Sequence, residues 1–153
     1  MRGGAILCAC AAVLLLAGTP SVAYASNQSV MSTFVDWTTR FGTDADVQAR
    51  AANDAPLSTA MWKATTHVRD DALQAARALK KEQPTTASGR RARATAIKAF
   101  STYASGEREL LLYIRAARNH HAAVAIKHFG LAQKRLGKAS RLLQQAATLA
   151  ARL

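Results

Sequence analysis

The C-terminal part of the chain carries the pattern that most restricts the fold. Apolar residues recur there at alternating steps of four and three, and alanine alternates with larger side chains. This spacing places all of them on one face of an α-helix. Small residues on such a face allow a second helix to approach closely, so the pattern predicts the last helix of an antiparallel bundle. The residues of this seam are Ala125, Phe129, Ala132, Leu136, Ala139, Leu143, Ala146 and Ala150.

Two further helices are predicted in the preceding N-terminal half. The first has a stripe formed by Val30, Phe34, Trp37 and Phe41, and we expect Gly42 to end it. Residues 43–54 are predicted to form a short connecting helix, with Thr43 or Asp44 as its N-cap. A long second helix is expected from Pro56 to Pro84, because proline suits a first turn and cannot continue a helix. Its stripe comprises Leu57, Met61, Ala64, Val68, Ala72, Ala75 and Leu79.

Residues 84–89, PTTASG, are predicted to be a linker, followed by a third helix that extends to about Arg118. Asn119 and His120 are the expected turn into the last helix. The chain is therefore predicted to be all-α, an up-and-down antiparallel bundle of about four helices, one of them short or broken. Residues 26–153 are expected to form its single domain. The third stripe comprises Ile97, Phe100, Ala104, Leu111 and Ile114.

Residues 1–25 have the pattern of a cleaved signal peptide. Arg2 supplies the positive charge, an apolar run of 13 residues follows at 5–17, and Ala23-Tyr24-Ala25 provides the small-x-small cleavage site. The run is shorter than the roughly 20 residues that a membrane-spanning helix needs. We therefore predict a secreted, periplasmic or envelope-associated protein that begins at Ser26, with no transmembrane segment in the mature chain. Both cysteines would be removed with the signal peptide.

Charge is divided unevenly along the predicted mature chain. Residues 26–84 contain 7 basic and 7 acidic residues, whereas residues 85–153 contain 13 basic and 2 acidic residues. In the last helix, Lys127, Lys134, Lys138 and Arg141 fall nearly opposite the apolar seam. They are the predicted anion-binding residues, facing an anionic envelope polymer, a lipid surface or an acidic partner. No aromatic residue lies among them, which disfavours sequence-specific nucleic-acid binding.

Histidines of the last helix suggest an alternative ligand site. His120 falls on the outer face, whereas His121 and His128 are predicted to point into the apolar arc. Because these two are seven residues and about 10 Å apart, they cannot chelate one ion, and no metal site is predicted. A haem or small ligand could still use them with His67 or Met61. For His67, a local partner is expected in Asp71, four residues later.

Glu107 is the other unusual residue, because it lies on the apolar arc of the third helix. A lone buried carboxylate is costly, so we predict that it forms an ion pair with Arg135 across the hairpin. No second carboxylate is placed to work with it, and no catalytic residue is predicted. The sequence favours a non-enzymatic interaction protein. A haem or small-ligand carrier and an all-α enzyme acting on an anionic substrate are the alternatives.

Overall fold

A computed structural model describes the backbone of residues 22–153 and the side chains of residues 26–153. Residues 1–21, which include most of the predicted signal peptide, lie outside this described part. The described chain is an all-α bundle of four helices and has no strand, as predicted. The helices are α1 (Val22–Asp54), α2 (Thr59–Lys81), α3 (Ala87–Arg118) and α4 (Ala122–Ala150).

Helix α1 continues through Gly42, so the predicted end at this glycine is wrong. Thr43 does not cap a new helix, because its hydroxyl donates to the Thr39 carbonyl one turn back, at 3.3 Å. Phe41 and Ala45 are both buried and lie on the same face. A glycine inside a helix costs only about 1 kcal/mol, which is less than the packing that a break between Phe41 and Ala45 would lose.

Helix α2 is shorter at both ends than the predicted span from Pro56 to Pro84. Ser58 is its N-cap and accepts a hydrogen bond from the Met61 amide at 3.1 Å. Pro56 therefore lies in the turn before the helix, and Leu57 is exposed rather than part of the core. The helix ends at Lys81, before Pro84.

The connection between α2 and α3 is tied to the start of α1 by polar side chains. Thr86 caps α3 by accepting from the Gly89 amide, and the Asn27 amide donates to the Thr86 hydroxyl at 2.9 Å. The carboxylate of Glu82 accepts from Ser29 and Thr33. Because α3 begins at Ala87, only the first half of the predicted linker is non-helical.

The turn between α3 and α4 lies where it was predicted. His120 has a φ of 58°, and its amide donates to the Ala117 carbonyl at 3.1 Å. The His121 amide donates to the Ala116 carbonyl at 2.9 Å. These two bonds around a left-handed residue form a Schellman motif, which satisfies the last carbonyls of α3 and reverses the chain.

Helix α4 packs through its alanines, as the seam predicted. Every fully buried residue of α4 is an alanine, and the neighbouring Leu136 and Leu143 are partly buried against the core. Gly106 of α3 faces Leu136 so closely that an added Cβ would lie 2.7 Å from the leucine Cδ2. Phe129 departs from the expected pattern, since it is 42% exposed and rests against Tyr113 with ring centroids 5.1 Å apart.

The largest helix interface joins α3 and α4, followed by those of α2 with α3 and α1 with α2. Helix α1 has only small interfaces with α3 and α4. Phe100, which is fully buried, lies at the centre of the core, with Phe34 and Phe41 at centroid distances of 6.1 and 5.8 Å. Within residues 22–153, every helix is too short or too polar to cross a bilayer.

Candidate anion-binding face

All four predicted anion-binding residues of α4 are exposed: Lys127, Lys134, Lys138 and Arg141. Their spacing keeps them on one side of the helix, away from the buried alanine seam. At 1.5 Å per residue, the row is about 21 Å long. None of the four forms a salt bridge with a residue of the described chain. The row therefore presents uncompensated positive charge.

A second set of cations lies on α3, in line with a residue that contacts α4. Arg135 of α4 donates to the Ser105 hydroxyl at 2.7 Å, which shows that Ser105 lies on the edge of α3 next to α4. Lys98 and Arg91 precede Ser105 by seven and fourteen residues, so they share its line along α3. Both are exposed. Both helices of the hairpin therefore carry exposed cations, those of α3 on the line of Ser105 and those of α4 on the face away from the buried alanines.

Glu109 lies at the contact between α3 and α4. Its side chain is 10% exposed, and its two carboxylate oxygens contact His128 Nδ1 at 2.6 Å and an Arg135 nitrogen at 2.7 Å. Both partners belong to α4, so the carboxylate joins the two helices. Glu109 thus neutralises Arg135, whereas the exposed cations of α3 and α4 form no salt bridge within the described chain.

The predicted Glu107–Arg135 ion pair is wrong. Arg135 binds Glu109, whereas Glu107 accepts a 2.6 Å hydrogen bond from the Gln48 side-chain amide of α1. The Gln48 amide also donates to Thr65 of α2 at 3.2 Å. Helix α3 packs against both α2 and α4, and the Gln48 bond shows that Glu107 faces α1. Glu109, two residues and about 200° further round the helix, faces α4 instead.

Glu107 is 1% exposed, so its predicted burial is confirmed. Burial raises the pKa of this carboxyl from 4.5 to about 8, and the Gln48 hydrogen bond offsets only part of that rise. Burial also raises the pKa of Tyr103, with a further rise from the neighbouring Glu107 charge. At neutral pH, Glu107 is therefore mainly a protonated, neutral hydrogen-bonding group, and it does not neutralise the cations of the hairpin.

The four residues of the alternative ligand site are not brought together. His121 is exposed at the start of α4, so its predicted inward orientation is wrong, and its side chain makes no capping bond. His128 is partly buried and is engaged by Glu109. Met61 is buried, whereas His67 of the same helix is exposed. His120 is exposed, as predicted.

The expected His67–Asp71 pair is also wrong. Asp71 is buried and accepts two hydrogen bonds from the Arg40 guanidinium of α1, at 2.9 and 3.2 Å. A bidentate guanidinium contact is stronger than a single contact from a histidine one turn away. Burial raises the pKa of nearby Asp44, and its hydrogen bond to Asp71 and the Asp71 charge contribute to the rise.

Residues 22–153 contain no group of three or more His, Cys, Asp or Glu side chains placed to hold a metal ion. No protein-family model, curated protein or solved structure matches this chain. The geometry and charge of the described residues are therefore the basis of a functional proposal.

One group of residues that the sequence analysis missed lies at the α3–α4 turn. Trp62, Arg115, Arg118 and Asn119 line a cleft of about 380 Å³ between the start of α2 and the end of α3. The available signal was the pair of arginines three residues apart at the end of α3. In an up-and-down bundle, this end meets the first turn of α2, which carries Trp62.

Proposed function

We propose that this protein is a non-enzymatic binding protein whose α3–α4 hairpin holds an anionic polymer. The observation that carries the proposal is the number of unpaired cations on this hairpin. Of the 13 basic residues after position 84, all except Arg93 and Arg135 are exposed, and none of the exposed ones forms a salt bridge with a described residue.

Solubility alone does not account for this arrangement. Residues 26–84 contain 7 basic and 7 acidic residues, so the same chain has a half with balanced charge and a half with a large excess of positive charge. Like charges concentrated on one hairpin repel each other and oppose folding. Such a cost is compensated when a polyanion neutralises the charges and releases its own counterions.

The shape of the charged surface favours an extended polymer. Two lines of exposed cations run along the hairpin, one on α3 that contains Lys98 and one on the outer face of α4 that contains Lys138. A flexible chain that carries phosphate or carboxylate groups can follow the α4 row over its length of about 21 Å. The signal-peptide pattern of residues 1–25 supports a polymer of the cell envelope as the partner.

The test replaces the α4 row, Lys127, Lys134, Lys138 and Arg141, by glutamine in one quadruple variant. Glutamine is a good helix former and the alanine seam is untouched, so helical content should not change. Binding to polyphosphate, measured by calorimetry between 50 and 300 mM salt, should weaken strongly. The slope of log affinity against log salt should fall by about 3 to 3.5 if all four contacts are lost, since each contact contributes roughly 0.7–0.9.

The matched control replaces four exposed cations of the N-terminal half: Arg50, Lys63, Arg77 and Lys80. It removes the same net charge and should keep most of the affinity. Equal losses in the two variants would show that only net charge matters and would contradict a binding hairpin. Stronger binding to phosphatidylglycerol vesicles than to polyphosphate would contradict a polymer as the partner and indicate a lipid surface instead.

Export is part of the proposal and has its own measurement. The mass of the protein recovered from the envelope or medium of its host should correspond to a chain that begins at Ser26. An intact Met1 on the recovered protein would contradict it.

A further inference from the structure

The cleft at the α3–α4 turn combines two guanidinium groups with a partly exposed indole ring. Arg115 and Arg118 are both exposed, and Trp62 is partly buried. Asn119 adds a neutral polar residue to the lining. No carboxylate lines the cleft, so its charge is not compensated within the described chain.

Arg118 is held in a fixed orientation. Its Nε donates to the Leu57 carbonyl at 2.6 Å, and its guanidinium carbon lies 5.8 Å from the centre of the Trp62 ring. The bond to Leu57 occupies the Nε edge of the guanidinium, and the Trp62 ring covers one of its faces. The two terminal nitrogens form no hydrogen bond within residues 26–153, and they are the pair that binds phosphate or carboxylate in a forked geometry.

Basic residues at the end of α3 have a simpler explanation, because they interact favourably with the negative end of the helix dipole. That effect explains a positive charge at positions 115 and 118. It does not explain why Arg118 reaches across to the turn before α2, or why an indole lies under its guanidinium. An arginine fixed by two contacts is preorganised, which lowers the entropic cost of binding an anion.

We infer that this cleft binds a small organic oxyanion, with its phosphate or carboxylate group on Arg115 and Arg118 and its planar apolar body against Trp62. The volume of about 380 Å³ is at the lower end of the range for small-ligand sites, so it suits a single ring rather than a polymer. The site goes beyond the polymer-binding function, because it uses none of the α4 row.

Trp62 provides the measurement. The chain has two tryptophans, so a Trp37→Phe background leaves Trp62 as the only indole. Phenyl phosphate and benzoate should change its fluorescence saturably, and the stronger ligand identifies the preferred head group. Inorganic phosphate, which has no ring, should bind at least about fivefold more weakly than phenyl phosphate, because it buries no apolar surface. Calorimetry on the wild-type full chain should give the same order.

Arg118→Lys keeps the charge but removes the fork, so it should weaken phenyl phosphate binding by about tenfold. Arg115→Gln should weaken it as well. The matched control is Arg108→Gln, which removes an exposed α3 cation outside the cleft and should leave the affinity unchanged. Circular dichroism would verify that each variant is folded.

The inference is overturned if phenyl phosphate gives no saturable change, if inorganic phosphate binds as tightly, or if Arg108→Gln weakens binding as much as Arg118→Lys. Its failure is distinguishable from failure of the polymer proposal, because the α4 glutamine variant should bind phenyl phosphate normally and the Arg118→Lys variant should retain most polyphosphate affinity.

Discussion

Glu107 is the residue whose environment departs most from the ordinary. Its pKa is raised to about 8 by burial, while an unfolded chain keeps a value near 4.5. Between these two pH values, the folded state holds a proton that the unfolded state has lost. The free energy of unfolding must therefore fall as pH rises from about 4.5 to 8 and become level above that range.

Glu107→Gln should remove this pH dependence, because the amide is neutral and can still accept from Gln48. In urea unfolding at pH 5, the variant should match the wild type within about 1 kcal/mol. At pH 8.5 it should be more stable by roughly 2–5 kcal/mol, since each unit of pKa shift corresponds to about 1.4 kcal/mol.

Glu109→Gln is the matched control, because Glu109 is paired with His128 and Arg135. Removing this charge should destabilise the fold at both pH values, since Arg135 loses its carboxylate partner between the two helices. If Glu107→Gln were less stable than the wild type at pH 8.5, Glu107 would have to be a charged partner rather than a buried neutral acid.

The sequence was sufficient to place Glu107 inside the bundle but not to identify its partner. Periodicity defines the face of its own helix on which a side chain lies, and it contains no information on which neighbour covers that face. The same limit applies to Asp71, for which a local histidine was predicted and a distant arginine is bound. Partners within one helix can be found by spacing, whereas those across helices require the packing arrangement.

Among the helices, the interface of α3 with α4 depends on a close approach at Gly106. Gly106→Ala would gain about 1 kcal/mol of helix propensity, but its Cβ would meet Leu136 Cδ2 at 2.7 Å and the Leu136 backbone nitrogen at 3.2 Å. The backbone nitrogen cannot rotate away. We expect a net destabilisation of about 1–2 kcal/mol, measured by urea unfolding.

Gly130→Ala and Gly137→Ala are the controls, because an added Cβ at either position of α4 has no neighbour within 4 Å. Each should stabilise the protein by about 0.5–1 kcal/mol through helix propensity alone. A stabilising Gly106→Ala would indicate that the two helices separate easily.

A helix boundary could be predicted where the chain has to leave the helical conformation. It could not be predicted where a residue only lowers the stability of the helix. The turn at Asn119 and His120 was predicted and is confirmed, since a bundle needs the chain to reverse there. The break at Gly42 was predicted and is wrong, because glycine lowers helix stability without removing a hydrogen bond. Packing of the flanking aromatic and alanine side chains then decides the outcome.

For the whole molecule, the segregation of charge has a thermodynamic consequence. Residues 85–153 contain 13 basic and 2 acidic residues, and one of those two, Glu107, is mainly neutral at pH 7. Repulsion among exposed cations is screened as salt rises, because the Debye length falls from about 30 Å at 0.01 M to 8 Å at 0.15 M.

The melting temperature should therefore increase between 10 and 150 mM sodium chloride, as followed by circular dichroism. The α4 quadruple glutamine variant should melt higher than the wild type at 10 mM and show a smaller salt effect. The variant with Arg50, Lys63, Arg77 and Lys80 replaced should not gain stability at low salt, since its charges lie in the balanced half. A melting temperature of the wild type that does not change with salt would show that repulsion among the cations does not destabilise the fold.

The three-residue turn at Asn119–His121 also governs how the chain finds its fold. Closing a short loop costs little entropy, and this loop joins the two helices that share the largest interface. We therefore expect the α3–α4 hairpin to form first. The contacts that Gln48 brings to Glu107 and Thr65 join three helices, so they require α1 and α2 to be in place. The expected order of assembly runs from the C-terminal end of the chain toward the N-terminal end, opposite to the order of synthesis.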